Sequence, residues 1–450
     1  MALTQVDKPY SYTRKGQRLY VVYTSDNSSN TGFKFGYQLT EVATGKVYQV
    51  FISPDPQGRG VFDMAPLVNL RHQDESTSSY NLHETTCYEV DGNGFKTYDI
   101  EITEWWIVDG VFTQNEEGEG NTDNIEGLVI VNAYFQPFQG YKPDTINSPA
   151  EACLYSWEVP MNFTAAEDYW LAYSDRNFNT SNWYKSFFNG DDIIYIACRW
   201  TDIGDLTFST SNLLSGNDLD KLRIQYFNSA GGLISQEFLS LTANSPLIHV
   251  GCYPACSTIS VPANCVAYQV YGVAADQATR VSARYVFYNE KEIGNWNQNC
   301  NYTPIRVAWV NSRAGWDYWN FQLKSERTTQ IERKQYNSVL KTDFDYGFTG
   351  AAIQPFRPTT RILTDRSNLN TTSLLVTSDW LSDNEFIFLR SLLVANQVQI
   401  IETSEVDGKT CYRITPVSIE QTSFAEQKNK DGKLHNITLN LKYSQPYWSH

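Results

Sequence analysis

Histidine, methionine and the short motifs of common catalytic sites are scarce in this sequence. Its 450 residues include only five histidines and three methionines, and none of the histidines belongs to a recognisable catalytic motif. The chain also lacks the GxSxG, HExxH and Walker patterns that position a nucleophile, a zinc ion or a phosphate. We therefore predict a protein that is not an enzyme and that needs no cofactor.

Long apolar runs and clusters of basic residues are also missing. No stretch approaches the roughly 20 apolar residues of a membrane-spanning helix, and the N-terminus lacks the pattern of a signal peptide, so we expect no membrane span. The 35 basic residues are outnumbered by 50 acidic ones, which gives a formal charge of −15. Sequence-specific binding of nucleic acid is therefore not expected, although an acidic wall past which DNA slides is compatible with this charge.

The eight cysteines are too sparse for a disulfide-built scaffold and fit reduced thiols made in a cytosol. One group is an exception, because "HVGCYPACSTISVPANC" brings four possible zinc ligands close together in sequence, namely His249, Cys252, Cys256 and Cys265. The spacing lacks a paired CxxC knuckle, and cysteine also serves as a small buried apolar residue in strands. Structural thiols are therefore the preferred interpretation and zinc the alternative.

Short runs of β-branched and aromatic residues, separated by turn residues, dominate the chain. Segments such as "RLYVVYTS" and "KLRIQYFNSAGGLISQEFL" predict strands and hairpins. Only "LSDNEFIFLRSLLVANQ" predicts a helix, over about 383–395, with Phe386, Leu389, Leu392 and Leu393 on its apolar side. We therefore predict an all-β protein of β-sandwich modules, with domains at 1–112, 113–295 and 296–450, the last carrying the helix.

The most unusual segment is "RVAWVNSRAGWDYWNFQLKS", residues 306–325, which reads as strand, turn and strand, and we expect Gly315 to take the left-handed conformation of the turn. Trp316 and Tyr318 share one face of the second strand, and Trp319 and Phe321 share the other. Because both faces carry large rings, each should be covered, either by another layer of the same domain or by another subunit. The candidate residues of this core or assembly hairpin are Trp309, Asn311, Gly315, Trp316, Asp317, Tyr318, Trp319 and Phe321.

Carboxylates beside tryptophans leave an enzymatic alternative open. Glycoside hydrolysis needs two carboxyl groups flanked by sugar-stacking rings, and the candidates are Glu101, Glu104, Asp109, Asp191 and Asp192. In a chain with 50 acidic residues and 14% aromatics, such neighbours also arise by chance. The same tryptophan-rich region predicts a different alternative, in which Trp105, Trp106 and Trp170 line a groove that binds glycans without cleaving them.

Several segments resemble the tail proteins of crAss-like and related short-tailed bacteriophages, especially their tail hub components. These are "PIRVAWVNSRAGWDYWNFQLKSERT", "FDYGFTG", "LLVTSDWLSDNEFIFLRSLL" and "HNITLNLKYSQPYW", together with "GFKFGYQLTEV" and "GVFDMAPLVNL" near the N-terminus. The resemblance implies a non-enzymatic virion part that repeats as a ring around the DNA channel and links collar or portal-side proteins to more distal tail proteins. It also implies a tail-tube-like C-terminal domain and synthesis in the bacterial host cytoplasm, and it supplies no catalytic residues.

The composition fits such a role. Aromatic residues outnumber lysine and arginine, as is typical of the subunit contacts in a ring. An acidic lumen would let DNA pass with little retention. The principal alternative is a receptor-binding or carbohydrate-binding tail protein, which would expose its tryptophans on an outer surface.

Overall fold

A computed structural model describes the chain in segments. They are residues 3–9, 12–15, 19–68, 88–90, 94–115, 122–132, 193–208, 219–241, 245, 247–289, 302–311, 314–337, 363–379, 381, 383–406, 409–420, 436–444 and 447–449.

The described residues form many strands and one α-helix, so the predicted all-β class is confirmed. By contacts, the chain divides into two compact units. The first comprises Met1–Asn299, Trp309–Tyr318 and Ile387–Asn396, and the second comprises Cys300–Ala308, Trp319–Phe386 and Gln397–His450. Several boundaries between the units therefore fall inside the aromatic hairpin and the helix rather than in loops.

Nine of the ten strands in the N-terminal region form two sheets, and the strand at Tyr88–Val90 pairs instead with a strand of the central region. The bounds of all ten are β1 Thr4–Asp7, β2 Tyr12–Arg14, β3 Tyr20–Thr24, β4 Lys34–Glu41, β5 Lys46–Ile52, β6 Arg59–Asp63, β7 Tyr88–Val90, β8 Phe95–Val108, β9 Val111–Gln114 and β10 Thr122–Val131, with a 3-10 turn at Ala65–Leu67. A three-stranded sheet has the order β1-β3-β6, and a six-stranded sheet has the order β2-β10-β8-β4-β5 with β9 paired to β8.

These two sheets pack as a sandwich around an aromatic core. Tyr23 and Phe62 from the smaller sheet and Phe35 and Tyr37 from the larger one belong to a single buried cluster. Tyr37 and Phe62 stack with their ring centroids 5.0 Å apart. Gly60 permits this close approach, because a Cβ atom there would lie 2.3 Å from the Phe35 ring.

The first module extends beyond its predicted end. The boundary after residue 112 falls inside β9, and β10 pairs antiparallel with β8 in the N-terminal sheet. This sheet therefore runs to Val131 rather than ending at residue 112, because long-range strand pairing continues across the polar loop that suggested a break. The predicted boundary at 295/296 lies outside the described residues.

The central strands are β11 Ile193–Cys198, β12 Asp205–Phe208, β13 Lys221–Phe227, β14 Leu233–Ser240, β15 Ile248–Gly251, β16 Ala267–Val273 and β17 Arg284–Asn289. A five-stranded sheet has the order β11-β17-β16-β13-β14, and a three-stranded sheet has the order β12-β15-β7. The hairpin predicted from "KLRIQYFNSAGGLISQEFL" is confirmed as β13 and β14, with Gly231 in the left-handed conformation at its turn.

The C-terminal elements are β18 Ile305–Val310, β19 Trp316–Phe321, β20 Glu326–Asn337, β21 Leu363–Thr377, α1 Asp383–Leu393, β22 Val398–Val406, β23 Lys409–Ile419, β24 Thr438–Tyr443 and β25 Tyr447–Ser449. Their eight-stranded sheet has the order β19-β18-β22-β23-β24-β21-β20, with β25 paired to β21. The predicted helix is confirmed as α1, and its residues Phe386, Leu389 and Leu392 are buried as the apolar spacing indicated.

Candidate functional site

The aromatic hairpin, β18 and β19, is buried within the single chain. Of the eight residues that the sequence singled out, only Trp319 is half-buried. Trp309, Asn311, Trp316, Asp317, Tyr318 and Phe321 are all less than 5% exposed, and Gly315 is buried as well. The hairpin is therefore core, and the layer that covers it belongs to the same chain.

Specific polar contacts hold the two strands of the hairpin near its turn. The indole N–H of Trp309 donates to Ser391 Oγ on α1 at 2.8 Å, and its ring lies 5.2 Å from Phe388. The hydroxyl oxygen of Tyr318 accepts the backbone N–H of Asp205 at 2.8 Å. Buried tryptophan and tyrosine usually find such partners, because an unmatched polar tip in a core is costly.

The turn of the hairpin differs from its sequence prediction. Gly315 was expected in the left-handed conformation, but the described residue that takes it is Ala314, with φ 70°. The side chain of Asn311 explains the shift, because its Oδ1 accepts the Gly315 N–H at 2.9 Å and its Nδ2 donates to Asp317 Oδ2 at 3.0 Å. These bonds fix the turn around Asn311.

The proposed zinc ligands do not converge. Nδ1 of His249 lies 2.9 Å from Thr207 Oγ1, while Sγ of Cys256 donates to the Gly204 carbonyl at 3.4 Å and Sγ of Cys265 to the Ala267 carbonyl at 3.2 Å. Burial is the main cause that raises the pKa of Cys252 well above its ordinary value, and the Cys256 thiol adds to it. Burial also raises the pKa of Cys265 to about 11. Zinc binding needs thiolates, so these environments favour structural thiols.

No cluster of possible metal ligands is found elsewhere in the described segments, where groups of three or more His, Cys, Asp or Glu are absent. Within the described residues, no helix has both the length and the apolar character that a membrane span requires.

The candidate carboxylates occupy structural positions. Glu104 is fully buried, and its two oxygens accept hydrogen bonds from the side chains of Ser25, Asn27 and Asn115. Glu101 accepts from Gln38 Nε2 at 3.2 Å, and Asp109 lies in the tight turn between β8 and β9 with φ 51°. A carboxylate closed off by three side-chain donors cannot reach a substrate. Asp191 and Asp192 lie outside the described residues.

A second aromatic group lies on the outer face of the N-terminal sheet, and sequence reasoning found only one of its members. It comprises Phe51, Trp105 and Phe112, whose ring centroids are 5.1 to 5.6 Å apart, and we call it the outer aromatic cluster. Phe51 and Phe112 are each 39% exposed. Trp106 points to the opposite face and stacks on the core residue Phe33, while Trp170 lies outside the described segments.

Glycine and lysine shape this cluster. The Trp105 indole lies over Gly36, where a Cβ atom would come within 2.7 Å of its Nε1, and the indole N–H donates to Thr103 Oγ1 at 3.0 Å. The Lys34 ammonium lies 5.7 Å from the centroid of the Phe112 ring. The signal that could have found the cluster is the antiparallel pairing of β5, β4, β8 and β9, which a sequence does not display.

Two edge strands offer further exposed surface. In β20, all ten residues from Glu326 to Gln335 are exposed, on both faces of the strand. In β14, Leu233, Ile234 and Phe238 are exposed large apolar residues. Each strand ends its sheet, and no described strand pairs with its outer edge.

Comparisons with known proteins do not identify a family. No protein-family model matches the sequence, and no curated protein sequence matches it. A solved structure to which the chain is similar is trypsin-activated alpha-2-macroglobulin from Escherichia coli, with a TM-score of 0.18 and 8% identity over 98% of this chain. This chain spans 23% of that protein's length, and a likeness of this size carries no argument about fold or function.

Proposed function

We propose that this chain is a structural component of a bacteriophage tail, a hub or connector subunit that forms a ring around the DNA channel. In the virion it would link collar or portal-side proteins to more distal tail proteins after synthesis in the host cytoplasm. DNA would pass through the ring without sequence-specific binding, in keeping with the charge of −15.

The observation that carries this proposal is β20. It pairs with β21 along its whole length of 12 residues, about 40 Å of strand, and is exposed on both faces from Glu326 to Gln335. A strand that buries neither face gains little from its own fold, so contact with a neighbouring subunit would supply the missing burial. Its mixed charges suit the polar rim of such an interface and discourage unspecific edge pairing.

The test is the mass of the purified protein by light scattering, together with negative-stain images. We expect closed rings, and we expect Ile331→Asp on β20 to lower the ring fraction while the far-UV circular dichroism stays unchanged. Val47→Asp on β5 is the matched control, because Val47 is 51% exposed and Ile331 52%. A stable monomer, or a fibrous trimer with affinity for glycans, would contradict the ring.

The outer aromatic cluster favours a second candidate, glycan recognition by a receptor-binding tail protein. Exposed rings bind the apolar faces of pyranoses, and Lys34 adds a hydrogen-bond donor beside Phe112. On a glycan array, Trp105→Ala and Phe112→Ala should then lose binding. Phe238→Ala, which removes a ring of similar exposure from the central sheet, should retain it. Absence of glycan binding by the wild-type protein would reject this candidate.

A further inference from the structure

The strand β14 carries a pattern that matches a second copy of itself. It is the last strand of the five-stranded sheet, and its sequence Leu233–Ser240 contains a single charged residue, Glu237. Leu233, Ile234 and Phe238 are 51%, 38% and 37% exposed. An edge strand that is long, apolar and weakly charged is a template for pairing with another strand.

A row of glutamines crosses the sheet and ends at this edge. Gln269 on β16 is opposite Gln225 on β13, and Gln225 is opposite Gln236 on β14, so the three side chains share one face. The Gln236 and Gln225 amides approach to 3.1 Å and those of Gln225 and Gln269 to 2.6 Å. Arg223 Nη2 also donates to Gln236 Oε1 at 2.7 Å.

Symmetry limits how two copies of β14 can pair. A two-fold axis perpendicular to the sheet relates antiparallel strands and keeps each side chain on its own face, so one residue must lie opposite its own copy. With Gln236 at the axis, Ile234 lies opposite Phe238 of the second copy and Leu233 lies opposite Leu239. Each apolar residue then meets an apolar residue, and Gln236 meets Gln236.

Neighbouring registers are less favourable because of Glu237. If the axis moves to Glu237, the two carboxylates face each other directly, and if it moves to Ser235, Leu233 faces Glu237. Like charges directly opposite are destabilising in antiparallel pairs. The edge strand β20 offers no comparable set of apolar pairs, since Ile331 is its one aliphatic residue, and an axis at Gln330 would place Arg327 opposite Arg333.

We infer that two copies of this chain pair antiparallel through β14, with the axis at Gln236, and so form a continuous ten-stranded sheet crossed by six glutamines. Backbone hydrogen bonds supply the attraction, and the register is set by the apolar pairs and the amide row. This isologous contact does not rest on the proposed ring, whose contacts would be heterologous.

Cross-linking tests the register directly. The Cα atoms of directly opposed residues in antiparallel strands lie about 4.5–5.5 Å apart, which suits a disulfide. Gln236→Cys should therefore give a covalent dimer on mild oxidation, whereas Gln49→Cys in the middle of the edge strand β5 should not. The wild-type chain is the control for cross-links formed by the eight native cysteines. An oxidised Gln236→Cys sample that contains only monomer would overturn the inference.

Gln236→Glu provides an independent test that does not depend on a thiol. The new carboxylate can still accept the hydrogen bond from Arg223, so the subunit should fold normally, but two carboxylates would meet at the axis. Sedimentation velocity in 0.3 M salt should show dimerisation about five- to tenfold weaker than for wild type, with no change for Gln49→Glu, which alters an exposed glutamine on the edge strand β5. Equal dimerisation of all three proteins, or no dimer in wild type, would overturn the pairing.

The two proposals fail separately in these experiments. Rings that form while the oxidised Gln236→Cys variant gives no cross-link would reject the two-fold pairing and leave the tail ring standing. If the Gln236→Cys variant gives a covalent dimer but the protein never forms rings, the tail ring would be rejected and the two-fold pairing would stand.

Discussion

At the scale of single residues, Glu104 shows how burial decides what a carboxylate does. Its position beside two tryptophans suggested glycan chemistry, yet its oxygens are used by Ser25, Asn27 and Asn115 inside the N-terminal module. Asn115 also donates its backbone N–H to the Glu104 carbonyl at 2.9 Å. Glu104 therefore ties the loop after β3 and the end of β9 to β8.

Replacing Glu104 should consequently cost stability. Glu104→Ala would leave the buried donor Ser25 and two half-buried donors without an acceptor, and we expect a loss of about 2–3 kcal/mol in the free energy of unfolding. Glu101→Ala on the same strand should cost less than about 1 kcal/mol, because its single bond to Gln38 is only partly buried. Urea denaturation measures both values. Equal losses for the two variants would contradict the structural role of Glu104.

Among the cysteines that the structure describes, thiol reactivity should separate the buried ones from the exposed Cys411. With a pKa of about 11, Cys265 is deprotonated at pH 8 to only roughly one part in a thousand. Its folded pKa lies above that of a free cysteine, so its labelling should increase as the pH rises towards 11. At pH 8, iodoacetamide should modify the exposed Cys411 and spare Cys252 and Cys265, as measured by peptide mass spectrometry. If a chelator speeded labelling at Cys252 and Cys256, these thiols would be metal ligands after all.

At the scale of elements, the hairpin of β18 and β19 has both faces covered by its own chain. Trp309 contacts α1, and the Tyr318 ring lies 5.0 Å from Tyr253, which follows β15. Because these two rings are buried against their own chain, the hairpin cannot present them to another subunit. Contacts in the proposed ring or dimer would therefore use other surfaces, such as the edge strands β14 and β20.

Two tryptophans three residues apart on this hairpin should respond differently to truncation. Trp316 is 2% exposed and Trp319 is half-buried. Trp316→Ala should destabilise the fold by about 3–5 kcal/mol through the cavity that it leaves, and Trp319→Ala by clearly less. Thermal unfolding followed by near-UV circular dichroism compares them. A larger loss of unfolding free energy for Trp319→Ala than for Trp316→Ala would contradict the burial of these two residues described above.

At the scale of the whole molecule, net charge opposes association. Each chain carries a formal −15, so subunits that meet in a ring or a dimer repel one another over distances beyond their contacts. The residues argued to make those contacts are mostly apolar or amide side chains in β14 and mixed charges in β20. Attraction at the contact and repulsion at long range therefore differ in their response to salt.

Raising the ionic strength should accordingly strengthen association. Between 0.05 and 0.3 M salt the Debye length falls from roughly 14 to 6 Å, so repulsion between chains weakens while apolar contacts persist. Light scattering at fixed protein concentration should show a larger mean mass at the higher salt. A mass that falls with salt would indicate an interface held together by ion pairs.

Local pattern was enough to predict the fold class, the helix α1 and the hairpin of β13 and β14. In each of these the signal lies within about twenty residues: alternation for strands, an apolar spacing of three and four for the helix, and glycine at a turn. The aromatic hairpin was also predicted, including the need to cover both of its faces. Composition and charge favoured a role without catalysis, and that function stays a proposal.

Everything that depended on which strands become neighbours was decided by the tertiary structure. Pairing of β10 with β8 extended the N-terminal sheet to Val131, and burial by the same chain made the aromatic hairpin a core rather than an interface. The outer aromatic cluster and the glutamine row exist only because residues far apart in sequence share one face of a sheet. Strand order is set by long-range packing, whereas a single strand's alternation specifies only its two faces.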